Sequence, residues 1–262
     1  MRMSARGLIA VLFCFAPCGR ALCGPAVPPD KEIEPGTTIF EKEYSLRSPD
    51  EEQAGSWRLK AVQKAGGEIE ISDELFIEEH PTRGKMGYKS TVVYRSAPSL
   101  SPVRATAETQ SGGKTCMKGE VAFAEKTLSF SCVGLHDGHT GKPIDPPLKF
   151  EKKDIERPKC VLLFQSAFPV LGPRLLPKEG ELKEVVFVEF PDDINAPELI
   201  NMKENYRLVR EPADEKGSYR MKVFGPLPDR PICTAQYDKN NKIIALHMGD
   251  TELVEVQEKK PE

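Results

Sequence analysis

Apolar and polar side chains alternate with period two through most of the chain, and helical periodicity is scarce. On Ser56–Lys64, Trp57, Leu59 and Ala61 share one face, and Arg58 and Lys60 take the other. Gly66-Gly67 makes a turn into Glu68–Glu79, where Ile69 and Ile71, then Leu75 and Ile77, alternate with acids. Lys85–Arg95 places Tyr88, Ser90, Val92 and Tyr94 together, and Val103, Ala105 and Ala107 alternate with Arg104, Thr106 and Glu108. The same rhythm returns on Glu181–Phe190, Tyr206–Arg210 and Ser218–Phe224. One buried and one wet face per strand is the signature of antiparallel sheet.

Two hairpins follow from the turns. Thr115–Ala124 and Thr127–Val133 flank Glu125-Lys126, and a two-residue connection pairs Phe123 with Leu128 and Val121 with Phe130. That register sets Cys132 opposite Gly119 and turns Cys116 to the other face. A direct Cys116–Cys132 disulfide then needs a bulge or another register. The second hairpin joins Ile232–Tyr237 to Lys242–Met248 through Asp238–Asn241, where Asn tolerates positive φ.

Between these blocks, Pro143–Pro177 is a proline-rich link with an apolar run from Cys160 through Leu171. Cys160–Phe168 reads either as a short helix ended by Pro169 or as a buried strand, since periodicity does not decide at this length. The expected fold is mainly β: a large antiparallel curved sheet or partly open barrel with one or two short helices. It occupies a single domain over residues 36–256, between a loose Pro-rich segment (25–35) and a polar tail (257–262).

The first 24 residues break the alternation. Arg2 and Arg6 precede the apolar run Leu8–Ala16, and small residues follow at Ala21, Cys23 and Gly24, the layout of a secretory signal peptide. The run is too short to span a bilayer, which needs roughly 20 apolar residues. No later segment is long and apolar enough either, so no membrane span is expected. Leu22 before Cys23 and Pro17 before Cys18 fit a lipoprotein anchor poorly, so ordinary cleavage is the better reading. The expected location is exported, periplasmic or extracellular.

Cleavage removes Cys14, Cys18 and Cys23, leaving Cys116, Cys132, Cys160 and Cys233. An even count in an oxidising compartment favours two disulfides. The alternative is that some are buried thiols. Cleavage also removes Arg2, Arg6 and Arg20 and no acid, so the mature chain is more acidic than the whole chain's net charge of −3. Such a surface has no general attraction for nucleic acid.

Candidate chemistry is sparse. Leu135-His136-Asp137-Gly138-His139-Thr140 gathers two imidazoles and a carboxylate, types that ligate zinc. Asp137-Gly138 is also a turn dipeptide, and with no third ligand nearby the turn reading is the stronger. Asp238–Asn241 lacks the Gly and Glu that complete a calcium loop. Ser166 lacks the Gly-x-Ser-x-Gly setting of an exposed nucleophile, and neither Cys-x-x-Cys nor His-Glu-x-x-His is present. Catalysis is thus disfavoured, and no cofactor is implied. Trp57, Tyr88, Tyr94, Val186, Val188, Tyr219 and Met221 lie on apolar faces that line a ligand cavity or fill a core.

The segment from Val185 to Val256 resembles bacterial cell-envelope proteins built on a curved antiparallel sheet, including the periplasmic lipoprotein carriers. The resemblance rests on Tyr206-Arg207-Leu208-Val209, Gly217-Ser218-Tyr219-Arg220-Met221, Gln236-Tyr237-Asp238 and Ile243-Ile244-Ala245-Leu246. It implies binding or transport of a lipid-like group, or a scaffolding role, and carries no functional residue with it. The expected function is a non-enzymatic exported protein that binds an apolar ligand or an envelope partner. The alternatives are a metal-dependent hydrolase using His136, Asp137 and His139, and a purely structural surface protein.

Overall fold

The computed structural model describes residues 35–47, 55–80, 84–96, 100–138, 140–190, 201–226, 230–248 and 251–255. The leader, the segment 25–34, the tail 257–262 and His139 lie outside them. The first eight strands are β1 (Thr38–Arg47), β2 (Gly55–Gln63), β3 (Glu68–His80), β4 (Gly84–Arg95), β5 (Ser101–Ser111), β6 (Lys114–Phe123), β7 (Thr127–His136) and β8 (Pro143–Glu156). After β9 (Val161–Phe164) come a 3-10 turn at Gln165–Ala167 and α1 (Phe168–Leu175), the one α-helix among the described residues. The chain continues through β10 (Gly180–Glu189), β11 (Asn201–Arg210), β12 (Tyr219–Phe224), β13 (Pro231–Tyr237), β14 (Ile243–Met248) and β15 (Thr251–Glu255).

The strands form one continuous ladder, β8-β7-β6-β5-β4-β3-β2-β1-β15-β14-β13-β12-β11-β10-β9. Two antiparallel runs, β1 to β8 and β10 to β15, are joined where β1 pairs with β15. Among the described strands only β9 pairs in parallel, with β10. The edges β8 and β9 do not pair with each other, so the barrel stays open. The expected mainly-β class and curved-sheet architecture are what the chain adopts.

Charge pairs across the outer face agree with this register. Glu41 stands opposite Lys60, Glu43 opposite Arg58 and Glu74 opposite Lys89, with ion-pair distances of 2.9, 2.9 and 3.1 Å. Such exposed pairs add little stability each. Their value is that a one-residue slip would carry charges into the core and apolar groups into water. The β6–β7 pairing is also as expected, with Phe123 opposite Leu128, Val121 opposite Phe130 and Gly119 opposite Cys132. At the β13–β14 turn, Asn241 takes φ 63°, and Asp238 Oδ1 accepts N–H bonds from Asn240 and Lys242.

Two expectations are corrected. The predicted disulfides do not form: no disulfide bond joins Cys116, Cys132, Cys160 or Cys233. The β6–β7 register puts Cys116 and Cys132 on opposite faces, and Cys233 faces Val223 and Met248 across its own ladders. Burial pushes the Cys132 thiol up to about 11 and Cys233 up to about 12, which suits inert packing groups. The second correction concerns Pro143–Pro177, whose first part is not a link but the fourteen-residue edge strand β8. An edge strand has one row of N–H groups without ladder partners, so Pro143, Pro146 and Pro147 are tolerated there. Lys149, Lys152 and Lys153 further discourage edge-to-edge association.

The segment from Val161 to Leu175 settles the ambiguity at Cys160–Phe168. It begins as a strand, passes through the 3-10 turn and becomes helical at Phe168. Pro169 sits in the first turn and starts the helix instead of ending it, because its missing N–H is needed by no partner there. Two tyrosines clamp this segment. Tyr94 Oη on β4 accepts the Phe164 N–H at 3.0 Å, and Tyr237 Oη on β13 donates to the Pro169 carbonyl at 3.0 Å. Both hydroxyls are raised above their ordinary range by burial.

The far end of the ladder thereby lies against the inner face of the first run. Phe164 meets Phe123 edge-on at 6.2 Å, and Phe190, just past β10, packs on Phe164 at 6.0 Å and Phe130 at 6.4 Å. Gly119 makes room for this aromatic cluster. A Cβ there would stand 2.8 Å from the Phe190 ring. Gly119→Ala should therefore cost about 1–2 kcal/mol net, overpacking outweighing the entropy gained in the unfolded chain. The urea midpoint should fall with the slope unchanged.

Candidate functional site

The curl of the sheet leaves a cavity of about 540 Å³ between the inner faces of β2 to β4 and the Phe164–Ser166 and Val188–Phe190 segments. Its wall is mostly apolar, with Leu46, Trp57, Leu75, Ile77, Phe164 and Phe190 among the lining residues. The small side chain of Ser90 on β4 is among the lining residues.

One carboxylate stands inside. The inward phase of β3 runs Ile69, Ile71, Asp73, Leu75, Ile77, so alternation delivers Asp73 to the interior with the isoleucines. Asp73 is 5% exposed and lines the cavity. Its partners come from three elements. Ser90, directly opposite on β4, donates its hydroxyl to Oδ1. Trp57 Nε1, one diagonal position away on β2, lies 3.4 Å from Oδ2. Ser166 on the 3-10 turn supplies a third side-chain hydrogen bond. These donors favour the ionised form, but desolvation outweighs them and pushes Asp73 up to about 6. A Glu189–Lys203 ion pair, half-buried, bridges β10 and β11 at the cavity wall.

The structure distributes the predicted cavity residues unevenly. Trp57, Tyr88 and Val188 line the cavity. Tyr94 is fully buried and serves as a clamp on Phe164. Val186 packs in the β9–β10 ladder. Met221 lies against Gly172 of α1, where an added Cβ would meet its sulfur at 3.3 Å. Tyr219 stacks on Tyr237 at 5.2 Å, with the Arg210 guanidinium 3.6 Å from its ring centre. Asp73 was missed by reading Glu68–Glu79 as apolar residues alternating with acids. The available signal was its phase, since Asp73 falls on the apolar side of that alternation.

The His136 loop is a turn in the described residues. Asp137 accepts the Thr140 N–H at 2.6 Å on Oδ1 and the Gly141 N–H at 2.8 Å on its carbonyl. His136 Nδ1 donates to the Thr115 carbonyl at 2.8 Å. Among the described residues, no three His, Cys, Asp or Glu side chains are grouped as metal ligands.

No family model matches the chain, and no curated protein matches it. Among solved structures, the crystal structure of a beta-barrel-like protein of domain of unknown function DUF1849 from Brucella abortus is similar, with a TM-score of 0.43 and 8% identity. The alignment covers 83% of this chain and 95% of that one. This is a weak likeness to a mainly-β, barrel-like protein, and it does not extend to the lipoprotein-carrier type. No helix among the described residues is long and apolar enough to cross a membrane.

Proposed function

We propose that this chain is an exported, non-enzymatic β protein that holds an apolar, lipid-like ligand inside its partly open barrel. The observation that carries the reading is the cavity: about 540 Å³, walled by Leu46, Trp57, Leu75, Ile77, Phe164 and Phe190. That volume is in the range of small-molecule sites, which combine an apolar wall with a few placed polar groups. The leader layout in residues 1–24 supports export, and the sheet curvature agrees with the resemblance to envelope proteins.

Trp57 is the chain's only tryptophan and lines the cavity, so it reports occupancy directly. Dodecanol, kept below its solubility limit, should change Trp57 emission saturably. Ile77→Phe, which adds a ring to a half-buried lining position, should weaken that binding about tenfold or more by filling the space. No saturable change with dodecanol or any other dodecyl compound, together with an empty protein by native mass spectrometry from its own host, would overturn the reading. Export is checked separately by the N-terminal sequence of that material, which should begin at or near Gly24.

A further inference from the structure

Resting on the cavity reading above, we propose that the occupant is a cationic amphiphile, an apolar chain with an ammonium-type head that hydrogen-bonds to Asp73. The first support is the charge balance of the wall. Among the described residues its charged members are Asp73, Glu189 and Lys203, and Lys203 is paired with Glu189. Asp73 is left as the uncompensated charge.

Among the described residues, the elements packed around Asp73 supply no cation. From β2 the facing groups are Trp57 and Leu59, while Arg58 and Lys60 turn outward to Glu43 and Glu41. From β4 it is Ser90, with Lys89 turned outward to Glu74. The 3-10 turn contributes Ser166 and Gln165, neither charged. Glu74, adjacent on β3, adds only repulsion. Among the described residues, the hydrogen bonds to the carboxylate come from the neutral donors Ser90, Trp57 and Ser166.

The second support is orientation. Two oxygens offer about four acceptor positions, and Ser90, Trp57 and Ser166 occupy three of them. A buried ionised carboxylate without a counter-ion is destabilising, and is offset when a cation arrives with donors of its own. An alkylammonium provides both, and its chain matches the apolar wall. A carboxylate or phosphate head would place like charges together.

The test compares dodecylamine, dodecanol and dodecanoate by Trp57 fluorescence at about pH 8, where an amine of lysine type is protonated and Asp73 ionised. Dodecylamine should bind about tenfold or more tightly than dodecanol, because only the amine brings a compensating charge to the buried carboxylate, and dodecanoate should bind weakest. Asp73→Asn should bring dodecylamine to within about twofold of dodecanol. The unmutated protein provides a second readout. Near pH 5, below the value of Asp73 but with the amine still charged, its preference for dodecylamine should shrink. Equal affinity for amine and alcohol, or a preference unchanged in Asp73→Asn, overturns the proposal. In either case saturable dodecanol binding blocked by Ile77→Phe would leave the cavity reading standing, whereas failure of all three probes would remove both.

Discussion

Phe164→Ala should lower the unfolding free energy by about 3–5 kcal/mol, the range for deleting a buried aromatic ring. Phe164 is 3% exposed and joins two packing systems. Its ring contacts Phe123 and Phe190, which bind the β9–β10 end of the ladder to the inner face of β6 and β7. Its N–H is fixed by Tyr94, so the backbone has little freedom to collapse into the space left by the ring. A site that cannot relax keeps its void, and the cost lies toward the upper end of the range. Urea unfolding followed by far-UV circular dichroism measures the loss. Phe76→Ala is the matched control. Phe76 is 37% exposed on the outer phase of β3, and its truncation should cost far less. Similar losses for the two variants would show that the sheet end is not anchored through Phe164.

The second large effect is a pH dependence. Asp73 is moved from an ordinary 3.8 to about 6, mainly by desolvation. The folded state thus holds a proton that the unfolded chain releases between those values. Stability contributed by the protonated group is fully present below about pH 4 and is lost as pH rises through about 6. Over that window the loss is about 3 kcal/mol for a group this deeply buried. Asp73→Asn should flatten this part of the profile, making the variant more stable than the parent at pH 8 and close to it near pH 4. Thermal unfolding at a series of pH values, in ligand-free protein, gives the two curves. Parallel curves would show that Asp73 keeps an ordinary carboxylate titration. A carboxylate that lowers stability in the working pH range is an expected trait of a binding site, where polar groups are held ready for a ligand.

The sequence was most legible where one face of a strand is buried and the other is wet. Trp57, Leu59 and Ala61 on β2 and Tyr88, Ser90, Val92 and Tyr94 on β4 follow this rule, and the β6–β7 register came directly from a two-residue turn. It was least legible where that contrast disappears. Strand β8 is mostly exposed and rich in proline, with only Phe150 and Ile155 packed against the core, so its residues carry little sustained alternation. Val185 to Val188 on β10 are buried on both faces, as are Leu162 to Phe164 on β9, so strand and helix look alike there. The cysteine count pointed to disulfides because number and compartment say nothing of direction. The β6–β7 register, which turns Cys116 and Cys132 to opposite faces, contradicted that count from the same residues.

What the sequence determined by itself is the class of architecture and the local pairing: alternation, turn chemistry and hairpin register are properties of neighbouring residues. These local rules suffice to place Asp73 on the inner face of β3. The tertiary structure alone decided what Asp73 meets there. The fifteen-strand ladder curls until Ser166 and Phe164, some ninety residues further along, close over it. That closure depends on contacts between distant segments, the Tyr94 and Tyr237 clamps and the Phe123–Phe164–Phe190 cluster, which no local pattern encodes. A cavity is a gap among many side chains, and its position follows from how those chains pack together.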